Sequence, residues 1–296
     1  METILSINNI SKTYGPIQAL KNVSFDVPVG CVFGILGPNG SGKTTLLGIL
    51  LDVLKADAGS YTWLGNDNPH DARKKIGSLL ETPNFYHYLS AMDNLKIAAA
   101  IKQHGDEDRL RVLEKVNLLQ RKDSKFQTYS LGMKQRLAIA STLLGSPKVL
   151  VFDEPTNGLD PAGIAEIRDL IRQLNNEGHT IIMASHLLDE VEKVCTHVAI
   201  LKKGDLLLSG PVDEVLRSED QIEISATNVA QLLSLIQTMP GVLSAKQQLN
   251  TITLSCDAGV TSEHINRFCS EKGVILSHLL LKKKSLETKF MELTNN

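Results

Sequence analysis

The chain opens on a two-residue rhythm. Val23, Phe25 and Val27 alternate with polar residues, as a half-buried strand requires, and Ile4 to Ile10 shows a similar but less regular pattern. Cys31 to Leu36 is then continuously apolar, which predicts a strand covered on both faces. Gly37 to Gly42 interrupts the run, and Lys43 to Leu54 continues with helical spacing. The order is strand, glycine loop, helix. From about residue 84 to 144 the period lengthens: apolar positions in Leu95–Ile101 and Leu110–Leu119 recur every three or four residues and predict helices. Short apolar runs return at Val149–Phe152 and Thr180–Ala184, as in parallel strands. Between them lies an amphipathic helix over Pro161–Glu177, closed by Gly178. Val198–Lys202 and Asp205–Ser209 flank Lys203-Gly204 as a hairpin.

Helices set into an α/β order predict a core domain carrying a helical subdomain, spanning residues 1–215 with the helical part at about 84–145. Gly210-Pro211 opens a short helix, and the polar stretch Arg217–Gln221 marks a boundary. The remainder of the chain reads βαββαβ: Gln221–Ser225, Val229–Met239, Val242–Gln248, Thr251–Cys256, Thr261–Glu271 and Val274–Lys282. That order suits a small ferredoxin-like α+β domain over 221–296, with a last helix at Ser285–Leu293.

A length of 296 residues accommodates this division into a large and a small domain. Apolar and charged fractions of 42% and 22% are those of ordinary globular domains. The net charge of −2 supplies no electrostatic case for nucleic acid. The basic triplets Arg73-Lys74-Lys75 and Lys282-Lys283-Lys284 read as solvated surface. Cys31, Cys195, Cys256 and Cys269 form no C-x-x-C pair, which argues against a metal or disulfide framework and for a reducing cytosol. The N-terminus lacks the pattern of a signal peptide. No apolar run nears the roughly 20 residues that span a bilayer; Leu46–Leu54 and Leu276–Leu281 are too short.

Gly37-Pro38-Asn39-Gly40-Ser41-Gly42-Lys43-Thr44, followed by Thr45, fits the phosphate-loop pattern G-x-x-x-x-G-K-[ST] in its required strand-to-helix setting. The glycines let successive backbone N–H groups face one concavity, and the helix behind adds its positive end. Lys43 would reach the β- and γ-phosphates, and the Thr44 hydroxyl would ligate Mg²⁺. The strand Val149–Phe152 ends in Asp153-Glu154, a carboxylate pair that is costly to bury unless it binds metal or moves protons. Asp153 would hold Mg²⁺ through water and Glu154 would polarise an attacking water. The other candidates are ambiguous when read alone. Asn157-Gly158-Leu159-Asp160-Pro161 is equally a turn and helix cap. His186, after Ser185, is more simply structural. Ser130 and Gly132, in Tyr129-Ser130-Leu131-Gly132-Met133-Lys134-Gln135-Arg136, offer an N-cap or an anion site. Tyr14 is a surface or turn tyrosine.

Taken together and in order, GPNGSGKTT, VLVFDEP, NGLDP and Ser185-His186 resemble the ATP-binding cassette (ABC) ATPases over about residues 3–215. The resemblance implies a RecA-like α/β core, an antiparallel β part and a helical subdomain, with ATP and Mg²⁺ as ligands. It makes Ser130 and Gly132 part of the signature that contacts the γ-phosphate held by an opposite subunit. Asp160 becomes part of the loop that communicates between sites, His186 the switch histidine, and Tyr14 the ring stacked on adenine. The implied unit is a head-to-tail dimer of two copies enclosing two ATP molecules, docked on a transmembrane permease subunit near Glu81–Leu89. The chain would then be peripheral on the cytoplasmic face of the membrane.

Two departures stand out from the family pattern. Leu131 and Met133 replace a glycine and a glutamine of the signature. Glu81 stands where the family has a glutamine near Mg²⁺ and water; its carboxylate can ligate either, while adding negative charge beside phosphate. Glu81-Thr82-Pro83-Asn84-Phe85-Tyr86 and YSLGMKQR resemble the ATPases of exporters for bacitracin-like and lantibiotic peptides, whose relatives include drug exporters. The rival class is a soluble ABC ATPase acting in translation or on DNA; such proteins usually carry two cassettes or a long coiled coil, and this chain has neither.

Overall fold

The computed structural model describes residues 2–65, 75–80, 84–217, 221–257, 259–282, 286 and 290. The chain divides into two compact units, Met1–Pro211 and Val212–Asn296.

The first unit begins with β1 (Thr3–Tyr14) and β2 (Ile17–Pro28), an antiparallel hairpin. β3 (Val32–Leu36) comes next, buried at every position, and leads through the glycine loop into helix α1 (Lys43–Leu50). β4 (Ala58–Trp63) returns to pair with β1, giving a three-stranded sheet in the order β2-β1-β4. β5 (Ile76–Leu79), β6 (Val149–Asp153), β7 (Thr180–Ser185), β8 (His197–Lys202) and β9 (Asp205–Pro211) complete a six-stranded sheet with β3, in the order β5-β6-β7-β3-β8-β9. Only β8–β9 is antiparallel in it. One apolar core runs through both sheets, from Leu5, Ile10 and Trp63 to Phe33, Leu46, Val151 and Ile182. α1 is buried on nearly all sides, which explains why its apolar residues show no single stripe.

The helical insertion holds α2 (Ala91–Lys102), α3 (Arg109–Lys115) and α4 (Leu131–Thr142), joined by short 3₁₀ turns. Lys102 Nζ donates to the carbonyl oxygens of Ser141 (2.9 Å) and Thr142 (3.1 Å), tying the C-terminal end of α4. Burial pushes the Lys102 pKa down to about 8. α5 (Pro161–Asn176) and α6 (Leu188–Val194) belong to the core. Arg136 of α4 lies 3.6 Å from Glu166 of α5, and Lys115 pairs with Glu177, so two ion pairs join the insertion to α5 and its end.

In the second unit α7 (Val212–Arg217) precedes β10 (Gln221–Ala226), α8 (Val229–Ile236), β11 (Val242–Gln248), β12 (Thr251–Cys256), α9 (Ser262–Glu271) and β13 (Leu276–Lys282). The sheet order is β11-β12-β10-β13, with every neighbouring pair antiparallel. This is the split βαβ arrangement. Ile222, Ile224, Leu232, Ile236, Ile252, Leu254, Ile265 and Cys269 form its own core. Of the last predicted helix, only Leu286 and Phe290 fall within the described residues.

Several boundaries differ from the sequence pattern. The helix expected to reach Leu54 stops at Leu50, because the backbone N–H groups of Val53 and Leu54 turn back onto Gly48 O. Strand β9 runs through Gly210 to Pro211, so the short helix starts one residue later, at Val212. β4, β5 and α6 have no counterpart in the pattern. Ala-Gly-Ser-Tyr-Thr-Trp lacks an apolar alternation, and β5 is short and carries Gly77, whose hydrogen makes room for Thr142 O of α4.

The small sheet is fixed to the glycine loop by backbone contact. Gly42 has φ +108°, and a Cβ there would lie 2.5 Å from Ala19 O of β2. Gly204, in the β8–β9 turn, has φ +85°; its N–H donates to Ser41 O (3.0 Å) and its carbonyl accepts from Lys21 N (2.9 Å). Loop, hairpin and turn therefore meet where no side chain fits. Gly42→Ala should destabilise the first unit by about 1–3 kcal/mol through strain and displacement of β2, read as a lower urea midpoint; an unchanged midpoint would refute the contact.

Candidate nucleotide site

Gly37, at φ +157°, allows the chain to turn sharply out of β3; a Cβ there would collide with Leu201 O and the Ser41 hydroxyl. Pro38, Asn39 and Gly40 are exposed at the crest of the loop. Ser41 is buried to 1% exposure, and its hydroxyl has no hydrogen-bond partner among the described residues. Lys43 is also buried, at 5%; its ammonium donates to Gly37 O (2.8 Å) and Pro38 O (3.4 Å). Thr44 and Thr45 complete the first turn of α1, Thr44 exposed and Thr45 half-buried. The N–H groups of that turn have no acceptor within the helix. Unmade donors, a buried hydroxyl and a buried cation around one loop fit a phosphate chain.

Parallel register brings the acids to the same edge. Leu36 of β3 pairs with Ser185 of β7, and Asp153 of β6 pairs with Ala184, so the three strands end at one level. This is the carboxyl edge at which open α/β sheets bind ligands. Asp153 is buried at 3% exposure. Glu154 leaves the strand with φ +49°, an unusual conformation for a residue with a Cβ, while its N–H donates to Ala184 O (3.0 Å). The turn brings Glu154 Oε1 within 3.4 Å of Lys43 Nζ and Oε2 within 2.8 Å of His186 Nδ1. Lys43, Glu154 and His186, far apart in sequence, form one connected row.

Other sequence-derived candidates stand on separate elements. Ser130 caps α4, its hydroxyl accepting from Met133 N (3.3 Å), and a Cβ on Gly132 would meet nothing within 4 Å. Asp160 caps α5 through Gly163 N (2.9 Å), with Pro161 in the first turn. These two caps are neighbours: Leu131 Cδ2 lies 3.4 Å from where a Gly158 Cβ would sit. Their hydrogen bonds are local and do not reach the glycine loop. Tyr14 is at the β1–β2 tip, 44% exposed. Glu81 lies outside the described residues. Sequence reasoning missed Gly204, which it read only as a hairpin turn, and Asp57, which binds Lys12 and Thr13 across more than forty positions. Neither carries a local signal for the role its backbone or side chain plays here.

Among the described residues, no three of His, Cys, Asp and Glu gather to hold a metal unaided. Mg²⁺ suits a sparse set, since it keeps water and takes phosphate oxygens beside one or two protein ligands. The Asp153 carboxylate and the Thr44 hydroxyl, each adjacent to a member of the Lys43–Glu154 pair, are hard oxygen donors of that kind.

Comparison with known proteins bears on the whole chain. Residues 20–157 match the family model for the ABC transporter. The lantibiotic transport ATP-binding protein SrtF of Streptococcus pyogenes is 40% identical over 71% of this chain and 92% of its own length. The bacitracin transport ATP-binding protein BcrA of Enterococcus faecalis is 32% identical over 99% of this chain and 97% of its own length. Among solved structures, the ADP conformation of MJ1267, an ATP-binding cassette of an ABC transporter, superposes with a TM-score of 0.66 at 28% identity, covering 72% of this chain and 93% of that one. A buried phosphate loop, a carboxylate edge in register with it and relatives matched from end to end lead to the same place: the chain belongs to the ABC transporter family, as an ATP-binding subunit that hydrolyses ATP.

Proposed function

We propose that the chain powers export of an antimicrobial peptide, drug or similar compound through a separate membrane permease, and that two copies form a head-to-tail dimer around ATP. The observation that carries the catalytic part is the row Lys43–Glu154–His186 at the end of β3, β6 and β7. In this reading the backbone of Gly37–Thr45 cradles the phosphates, and Lys43 exchanges its loop carbonyls for the β- and γ-phosphates. Glu154 accepts a proton from the attacking water, and His186 orients Glu154 and contacts the γ-phosphate. Mg²⁺ supplies charge neutralisation, held by Thr44 and Asp153, with Glu81 a further oxygen donor. Tyr14 stacks on adenine. Ser130 and Gly132, on the exposed start of α4, complete the other copy's site, and Asp160 in the adjoining loop links the two.

Residue pairing supports the roles of Glu154 and His186. A carboxylate 2.8 Å from an imidazole nitrogen and 3.4 Å from an ammonium is held in one orientation by the two, as a general base must be to meet its water. The export reading draws on SrtF and BcrA, which are named for lantibiotic and bacitracin transport. Among the described residues no helix is long and apolar enough to cross a membrane, so the proposal assigns passage to a partner. A groove of about 390 Å³ beside Phe85, Tyr86 and Ile97 supports docking of that partner at the insertion, where Tyr86, Tyr88 and Ile101 are 51%, 66% and 78% exposed. In that arrangement the chain sits on the cytoplasmic face of the membrane.

Glu154→Gln should lower ATP turnover by about 10²- to 10⁴-fold while ATP still binds; steady-state hydrolysis at the wild-type rate would sink the assignment. Lys43→Ala should raise the dissociation constant for ATP at least about tenfold, as loss of a buried phosphate-binding charge requires, and an unchanged titration would refute the loop reading. The tagged chain should co-purify with a polytopic membrane protein from detergent-solubilised membranes. Recovery with ribosomes or DNA instead would overturn the transport role of this particular chain.

A further inference from the structure

We propose that Asp57 and Lys12 form a clamp that fixes the Tyr14 ring for stacking on a nucleobase, which makes both of them positioning residues of the nucleotide site. The inference rests on the reading of Tyr14 as the base-stacking ring and adds what holds that ring in place.

Asp57 grips the chain just before Tyr14 at three consecutive residues. Its N–H donates to Ser11 O (2.9 Å), its Oδ1 accepts from Lys12 Nζ (2.7 Å), and its Oδ2 accepts from Thr13 N (2.7 Å). Backbone pairing of β1 with β4 ends at Ser11 and Ala58. Beyond that point the Asp57 side chain takes over the ladder's work on this side of the strand. Lys12, with its side chain 17% exposed, projects over the Tyr14 ring, its Nζ 5.4 Å from the centroid. A cation at that distance is attracted by the π-face. The bond to Asp57 fixes where the cation sits, and so which face of the ring it occupies. The Lys12 ammonium, and next the Thr13 N–H, hold the Asp57 carboxyl below the usual carboxylate range, so the carboxylate that grips them is ionised at neutral pH.

The location matches the length of a nucleotide. Tyr14 pairs with Ile17 at the hairpin tip, and both are exposed, at 44% and 67%. Ala19 of the same hairpin, between Gln18 (opposite Thr13) and Leu20 (opposite Lys12), lies against Gly42 of the phosphate loop. The ring is thus about two strand residues, ~7 Å, beyond the contact with the loop. A sugar spans a gap of that size between phosphate and base. An ion pair whose carboxylate is 45% exposed contributes little to folding by itself, and stability therefore gives a weak account of why three bonds converge here.

Stacking reads the face of a base rather than its edge. The clamp should therefore tighten ATP and GTP alike, and should do nothing for a triphosphate that has no base. The test is equilibrium titration of the full chain with ATP, GTP and inorganic tripolyphosphate. Lys12→Met and Asp57→Asn should each weaken ATP and GTP by about 3- to 10-fold and leave tripolyphosphate unchanged. Lys12→Arg should recover most of the loss. Neither change should add to the loss already caused by Tyr14→Ala. Equal weakening of tripolyphosphate, or the same loss in the Tyr14→Ala background, would reduce the pair to a brace for the hairpin and overturn the proposal. If Tyr14→Ala alone leaves ATP affinity unchanged, the stacking reading fails, and the clamp fails with it. Retained tripolyphosphate affinity also shows that each variant is folded.

Discussion

Lys43 carries a full positive charge to a place where only 6% of its side chain meets water. A cation so placed must be paired, since leaving it bare costs several kcal/mol or forces it to lose its proton. The pairing comes from Gly37 O and Pro38 O on its own loop and from Glu154 across the sheet. Much of the first unit can be traced to that requirement. The loop carbonyls face inward only because Gly37 and Gly42 adopt conformations closed to other residues. Glu154 arrives only because β6 and β7 stop in register with β3. The same carbonyls and carboxylate are what a phosphate would displace, so the arrangement that makes the loop foldable also readies it for an anion.

A second constraint is steric and lies in the backbone. Ser41, Gly42, Ala19 and Gly204 meet with carbonyl oxygens where side chains would otherwise stand. Because the contact is made by main chain, it places the antiparallel hairpin with little freedom, and the hairpin's tip inherits that placement. The position of Tyr14 relative to the phosphate loop is thus set by Gly42 and Gly204, two glycines remote from each other in sequence that act on Tyr14 only through the hairpin.

What could be read in the sequence, and what could not, divides along the range of the interaction. Strands β3, β6 and β7 are buried on both faces, so their composition alone declared them, and the phosphate loop declared itself through residues that are consecutive. Ser130 and Asp160 were legible as caps because capping is a three-residue event. By contrast β4 joins the sheet through β1 rather than through any pattern of its own, and β5 depends on Gly77 admitting Thr142 O from a helix some sixty-five positions later. The Glu154–His186 bond could be guessed only by knowing that their strands are adjacent and end together. The grip of Asp57 on Ser11, Lys12 and Thr13 arises from β1–β4 pairing and is invisible without it.

Glu154 sits at φ +49°, a conformation in which a side chain costs about 1–3 kcal/mol and glycine costs almost none. By the standard of folding alone, it is the wrong residue for its place. Glycine would relax the turn after β6, and would also remove the partner of Lys43 and His186. Stability and chemistry thus select in opposite directions at a single codon. Consensus or directed-evolution methods that reward heat resistance would be drawn to this position, and on the role proposed for Glu154 the sturdier protein they delivered would be inert.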